Sequence, residues 1–350
     1  MSVARRITLD PHHPNAAHIA EAAAALRAGA LVVFPTETVY GLGANCLDPD
    51  AVARIFAAKG RPAWNPVIAH VASMEAAQAL TRDWPEAATR LAHAFWPGPL
   101  TLVLLKAPHV PDVATAGLDA VAVRIPDHPV ALALLRAAGV PVAAPSANRF
   151  TQVSPTTAQH AARALGDRVA YILDGGPCQV GIESTVLDLT GPVPTVLRPG
   201  MISVAAIEAV LGATVRPPTG GRAAAVAHDG GEAVAAQRGP GMADRHYAPS
   251  AEVWLFSADQ HAEMVTALAA RAADGGPVMA LLLHTTLQTT ASLPAARLRT
   301  MPDNPAAYAR ALYAALHDAD EARIAVLVIE QPPERAEWTG VRDRLTRAAR

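Results

Sequence analysis

The sequence predicts a mixed α/β protein of two domains joined by a linker. Three observations predict it. Apolar runs of strand length alternate with amphipathic stretches of helix length from residue 15 to about 212. Strand-like runs also follow one another with no helix between them, at 169–173, 183–189 and 195–198, so a mixed sheet is expected rather than a purely parallel one. Residues 213 to about 250 lose this periodicity, and a second α/β pattern then follows. The expected organisation is a first domain over 1–212, a linker over 213–250 and a smaller α/β domain over 251–350.

Asn15 can cap a helix running to about Arg27, with Gly29 as its stop. Leu31 to Phe34 is a short buried strand, and the polar stretch Pro35 to Gly43 reads as a loop. Asp48-Pro49 starts a helix that ends at Lys59, with Gly60 at its C-cap. Strands are expected at 67–71, 100–105, 121–125 and 140–144, and helices near 74–80, 85–95, 128–138, 156–165 and 203–211. In the second domain, strands are expected at 253–256, 278–283 and 324–329, with helices at 259–273, 304–318 and 340–348.

The chain is 51% hydrophobic, enough for two cores, and only 4% aromatic. A net charge of -2 gives no global pull toward nucleic acid or acidic membranes. The two cysteines, Cys46 and Cys178, form no CxxC or Cys/His cluster and read as reduced core residues. Met1 to Asp10 lacks the apolar core of a signal peptide, and no apolar run reaches the length of a membrane span. A soluble cytoplasmic protein is expected.

Of 29 basic residues only Lys59 and Lys106 are lysine. Lys59 stands two residues from Arg61 at a helix end. A compact ammonium beside a bidentate guanidinium suits a polyphosphate, whereas a solvated pair at a helix C-terminus would contribute little to folding. Three polar segments follow apolar strands: Pro35 to Gly43, Pro145 to Asn148 and Gly181 to Thr185. Such loops can hold oxyanions at strand ends, and the same residues are also ordinary turn formers. Neither GxxxxGK[ST] nor a three-glycine dinucleotide fingerprint occurs, and no GxSxG elbow supplies a nucleophile. The pattern favours chemistry run by alignment and charge stabilisation.

Seven motifs occur in order: Pro35-Thr36-Glu37-Thr38-Val39-Tyr40-Gly41-Leu42-Gly43, Lys59-Gly60-Arg61-Pro62, Trp96-Pro97-Gly98-Pro99-Leu100-Thr101, Val123-Arg124-Ile125-Pro126, Pro145-Ser146-Ala147-Asn148, Glu183-Ser184-Thr185-Val186 and Arg198-Pro199-Gly200. Together they resemble the threonylcarbamoyl-AMP synthase family, the YrdC-like proteins, over about residues 15–212. The linker and the second domain resemble the family's long two-domain form. That resemblance implies a mixed twisted sheet with helices, followed by a Rossmann-like C-terminal α/β domain. It implies synthesis of L-threonylcarbamoyladenylate from L-threonine, bicarbonate or CO2, and ATP, with Mg2+ expected and pyrophosphate released. The product would feed threonylcarbamoyladenosine formation in tRNA through a downstream transfer machinery. It also implies site residues: Lys59, Arg61, Ser146 and Asn148 match the family's catalytic set. Thr38, His70, Arg124, Ala144 and Ser184 match threonine-binding positions, with Arg124 the fork for the carboxylate. Arg61, Asn65, Ala120, Ser146, Ser154, Arg198 and His246 match nucleotide-binding positions.

Ala120 stands where many members carry Thr or Ser, and Gly239 and Ala243-Asp244 also depart from the usual linker. No dedicated protein metal site is read. A carbamoyl-transfer enzyme is one alternative, but two isolated cysteines cannot supply the zinc modules that accompany such activity in larger relatives of this domain. A ribosome-assembly or RNA-binding protein is another, and weak RNA binding through a basic face is compatible with the main reading. The segment Arg238 to Pro249, rich in special residues, is expected to fold as a lid with His246 or Tyr247 near the nucleotide.

Overall fold

The computed structural model describes residues 4–218, 246–273, 277–283 and 296–350. They divide into two compact units. The first takes in the chain up to Phe150, Ser154–Gln179 and the stretch from Glu183; the second takes in Thr151–Val153, Val180–Ile182 and the C-terminal part.

The first unit runs β1 (Arg5–Thr8), α1 (Ala16–Arg27), β2 (Val32–Phe34), β3 (Gly41–Asn45), α2 (Pro49–Lys59), β4 (Ile68–His70), α3 (Met74–Gln78) and α4 (Glu86–Phe95). It continues with β5 (Leu100–Leu105), α5 (Asp112–Thr115), β6 (Ala120–Arg124), α6 (Pro129–Ala138), β7 (Val142–Ala143), α7 (Ala158–Leu165), β8 (Tyr171–Asp174), β9 (Thr185–Asp188), β10 (Thr195–Arg198) and α8 (Val204–Leu211). Its ten strands form one sheet in the order β1-β8-β2-β3-β7-β4-β6-β5-β9-β10. The sheet is mixed: β4 and β6 pair in parallel, and so do β5 and β9, while β3–β7, β4–β7, β5–β6 and β9–β10 pair antiparallel.

Local chemistry sets the boundaries. Asn15 Oδ1 accepts from the N–H groups of Ala17 and His18 at the start of α1. Asp48 does the same for α2, with Pro49 in its first turn and Gly60 closing its end at φ 62°. Strand β2 reads as unbroken apolar sequence because it feeds both faces of the sheet. Val32 and Phe34 join the core under α1 and α6, and Val33 joins the core under α2, α4 and α7.

Three elements depart from the sequence reading. The stretch Pro35 to Gly43 is not loop throughout, since β3 begins at Gly41. A Cβ on Gly43 would come within 2.9 Å of Phe34 and 3.0 Å of the Val32 carbonyl, so glycine lets the strand pass beneath the Phe34 ring. Strand β1 escapes notice because an edge strand with one inward residue, Ile7, has no apolar run. The four-residue helix α5 is too short to show a period.

The second unit contains β11 (Glu252–Phe256), α9 (His261–Ala273), β12 (Val278–Leu282), β13 (Ala296–Thr300), α10 (Pro305–Glu321), β14 (Val326–Glu330) and α11 (Thr339–Ala348). Its four strands are all parallel, in the order β11-β14-β12-β13. Strand β13 was not expected from sequence, because Ala296-Arg297-Leu298-Arg299-Thr300 is a short edge strand with one large apolar residue, Leu298, and no apolar run. No described helix is long and apolar enough to cross a membrane.

Candidate active site

The first unit gathers its buried polar residues at the ends of β2, α2, β4, β6 and β9. Three segments are stitched side by side. The Ala147 N–H donates to the Tyr40 carbonyl at 2.8 Å, the Leu42 N–H to Pro145 at 2.7 Å, and the Tyr40 N–H to Pro155 at 2.8 Å. This brings Thr36–Tyr40, Pro145–Asn148 and Ser154 together.

Thr36 shapes the first segment. Its hydroxyl donates to the Val39 carbonyl at 2.6 Å and accepts from the N–H groups of Thr38 and Val39. That tight turn presents Glu37 and Thr38 to Arg124. The Arg124 guanidinium donates to Glu37 Oε1 at 2.6 Å, to Thr38 Oγ1 at 3.0 Å and to the Gly98 carbonyl at 3.1 Å. Arg124 and Glu37 are both buried. In the parallel β4–β6 register His70 lies opposite Arg124. Burial, and then the Arg124 charge, push the His70 imidazole down to about 3, so it is neutral at physiological pH. Ala144 is buried beside β4, its N–H on the Ile68 carbonyl.

Lys59 is 2% exposed and Arg61 7%. The solvated helix-end reading is therefore overturned, and with it the expectation that Lys59 matters little to folding. The Lys59 ammonium donates to the backbone carbonyls of Ser146 and Asn148. Burial, then the Arg61 charge, hold it well below the ordinary lysine range, against the opposing pull of Glu183. Arg61 is tied to its own loop, donating to Asn65 Oδ1 at 2.7 Å and to the Pro66 carbonyl at 2.8 Å. Ser154 donates to Glu183 Oε1 at 2.6 Å.

Ser184 begins the third cluster. Its hydroxyl lies 2.7 Å from Thr101 Oγ1, and Arg198 from β10 donates to its carbonyl and hydroxyl. Gly200 permits this approach, since a Cβ there would sit 2.5 Å from the Thr185 nitrogen. Thr185 N–H donates to Pro99, next to the Gly98 that holds Arg124, so the two clusters share one turn.

Two further residues were expected at nucleotide-binding positions, Ala120 and His246. Ala120 is half-buried at the start of β6 and packs on the apolar group of Ile68, Val103, Ala122, Val186 and Leu197. His246 belongs to the second unit. Its ring lies 4.1 Å from that of Tyr247, which stacks on Tyr313 and carries Arg344 over its face. Residues 238–245 of the expected lid lie outside the described residues. Sequence reasoning gave no role to Glu37 or Glu183. Their signal was available: each is an acid inside an otherwise neutral polar segment. Among the described residues no three His, Cys, Asp or Glu side chains come together as a metal site. Cys46 and Cys178 are buried and free, and burial raises both thiols, Cys46 to about 12.

A family model described as telomere recombination matches residues 24–200, and one described as threonylcarbamoyl-AMP synthase, C-terminal domain, matches residues 202–350. The threonylcarbamoyl-AMP synthase of Pyrococcus abyssi (strain GE5 / Orsay) is 42% identical over 331 residues, covering 94% of this chain and 93% of its own. That of Bacillus subtilis (strain 168) is 40% identical over 350 residues, covering 96% and 94%. The crystal structure of P. abyssi Sua5 complexed with L-threonine matches with a TM-score of 0.87 at 40% identity, covering 99% of this chain and 98% of that one. Two matched family models in series and near full-length identity of this order show that the chain belongs to the two-domain, YrdC-like threonylcarbamoyl-AMP synthase family and is an enzyme of that type, a transferase that makes the adenylate.

Proposed function

We propose that the protein joins L-threonine, bicarbonate or CO2, and ATP into L-threonylcarbamoyladenylate, releases pyrophosphate, and so supplies the acyl donor for threonylcarbamoyladenosine formation in tRNA. One observation carries this reading: the buried Glu37–Thr38–Arg124–His70 group sits in the same stitched set of loops as Ser146 and the Lys59 that donates to it, with Arg61 two residues beyond. The first group suits an amino acid and the second a polyphosphate. The P. abyssi protein crystallised with L-threonine supports the amino acid assignment.

Threonine's amine adds to CO2, and the carbamate oxygen attacks the α-phosphorus of ATP. Arg124 receives the threonine carboxylate. Among the described residues its three hydrogen bonds leave one N–H on each terminal nitrogen to do so. Lys59, Arg61 and Arg198 stabilise the charge that spreads over the phosphate oxygens in the transition state. An incoming polyphosphate also reverses the electrostatics at Lys59. It supplies negative charge that favours the ammonium form, against the burial and the Arg61 charge that disfavour it. Mg2+, carried in as the counterion of the ATP phosphates, would supply charge neutralisation for the pyrophosphate. Incubation with ATP, Mg2+, bicarbonate and single amino acids, read by mass spectrometry and pyrophosphate release, tests the assignment. Turnover that needs both L-threonine and bicarbonate supports it, and equal turnover with glycine or with no amino acid overturns it.

A further inference from the structure

We infer that Glu37 is a catalytic base of the reaction: it receives the α-ammonium of threonine and takes a proton from it, freeing the nitrogen lone pair for attack on CO2. The inference rests on the function proposed above.

The chemistry demands such a group. Threonine arrives with a protonated amine, and a protonated amine has no lone pair to offer CO2. Peptide α-amino groups titrate at about 8 and the carboxylate of a free amino acid raises that further, so most of the substrate is the unreactive ammonium near neutrality. A site that binds this zwitterion also needs an anion for the ammonium as well as a cation for the carboxylate.

Glu37 has the required position and state. It is 4% exposed, adjacent to Thr38 and in direct ion pair with Arg124, the fork assigned to the carboxylate. Only Oε1 is used in that pair. Among the described residues Oε2 is buried and accepts no hydrogen bond. A buried carboxylate oxygen without a donor is costly, and such atoms are rare in folded proteins. An ammonium is the donor that would complete it. Glu37 is held rigidly, because Thr36 pins the turn on both sides of it.

Among the described residues around it, the other titratable groups are less suited to the task. Arg124 is a permanent cation. Burial holds the neighbouring His128 imidazole below its usual range, and His128 Nδ1 already accepts from the Val130 N–H. Burial, and then the charge of Glu37, raise the Cys178 thiol, so it is protonated. Asp127 is exposed to solvent, unlike the buried carboxylate of Glu37. His70 faces the same group and is neutral, but its Nδ1 lies 3.2 Å from the Ile68 carbonyl.

The step balances. One ammonium proton passes to the Glu37 carboxylate. The nitrogen lone pair forms the N–C bond to CO2. The second proton leaves the nitrogen and, together with the hydroxyl that bicarbonate lost in giving CO2, ends as water. Threonine ammonium, Glu37 carboxylate and bicarbonate thus become threonine carbamate, Glu37 carboxylic acid and water. Glu37 returns its proton to solvent before the next turnover.

The test is Glu37→Gln, whose amide oxygen can still accept from Arg124 but which cannot take a proton. Adenylate formation is measured against pH from 6.5 to 9 with threonine, bicarbonate, ATP and Mg2+. The expected loss is about 100-fold in kcat near pH 7, the usual size of a lost general base. The deficit should shrink as pH rises and free amine becomes available from solution, and KM for ATP should not change. A deficit that is the same at every pH would mean that Glu37 only positions Arg124, and a variant as active as the parent would exclude any role; either result overturns the inference. Should Glu37→Gln fail to fold, as judged by its melting transition, Glu37→Asp carries the test. It keeps the carboxylate but withdraws it, so turnover should fall while the pH profile keeps the parent shape. Unchanged turnover or a steeper profile would overturn the inference there. A parent enzyme that makes no threonylcarbamoyladenylate at all refutes the reaction, whereas an active parent with an equally active variant refutes only the base.

Discussion

Arg198 grips Ser184 twice, by its carbonyl at 3.0 Å and by its hydroxyl at 3.1 Å. The pair spans the hairpin of β9 and β10, so the guanidinium locks the mouth of one strand to the end of the next. Arg198→Lys cannot reproduce a two-point grip. Turnover should fall about 100-fold, the size of a lost oxyanion stabiliser. Ser184→Ala removes one acceptor and leaves the carbonyl. KM for threonine should rise by about five- to tenfold, corresponding to roughly 1 kcal/mol for one neutral hydrogen bond. Steady-state kinetics with each substrate varied in turn separates the two outcomes.

Lys59→Met keeps the length of the side chain and removes the amine. Activity should drop by at least about 100-fold through lost charge stabilisation. Folding should suffer as well, because the Ser146 and Asn148 carbonyls lose their donor. A cost of about 1–3 kcal/mol is expected from denaturant titration. A variant of unchanged stability would mean that water replaces the amine at both carbonyls.

His70 sets a pH dependence. Its folded-state value is about 3, below the ordinary 6.5, so the unfolded chain binds a proton that the folded chain refuses. Stability from this group is therefore complete above pH 6.5 and is lost as pH falls through the window from 6.5 to about 3. The limiting slope is about 1.4 kcal/mol per pH unit for one proton. Denaturant titrations at pH 7, 6 and 5 should show a shallower decline for His70→Asn than for the parent.

Substrate choice offers a further check. Serine differs from threonine by one methyl group, worth about 1–3 kcal/mol in an apolar contact. Its kcat/KM should be lower by roughly tenfold or more. Equal use of the two would mean that the site makes no selective contact with the methyl group.

Much of the fold was legible because its boundaries are written in local chemistry. Asn15, Asp48-Pro49 and Gly60 mark helix ends by side-chain and backbone rules that need no tertiary knowledge. Strand β3 was misread because its glycines answer to Phe34 and Val32, contacts that only the assembled sheet creates. The edge strands β1 and β13 were missed for the opposite reason: they bury too little to leave a pattern. In the site, residue types and motif order were visible, but pairings were not. Glu37 and Arg124 are 87 positions apart, and nothing in either segment announces the other. The burial of Lys59 was equally hidden, since a lysine before a C-cap glycine looks the same whether it faces water or two carbonyls.

The near absence of lysine has a practical side. Amine-directed reagents find only two lysine side chains in the whole chain, and Lys106 is the more accessible of them. Lys106 lies in a partly exposed ion pair with Asp112, while Lys59 is enclosed among the loops of the site. A mass-spectrometric acylation footprint would therefore have one internal reference and one reporter. Modification at Lys59 relative to Lys106 would track opening of the loops, and its suppression by ATP would give an occupancy assay with no engineered probe.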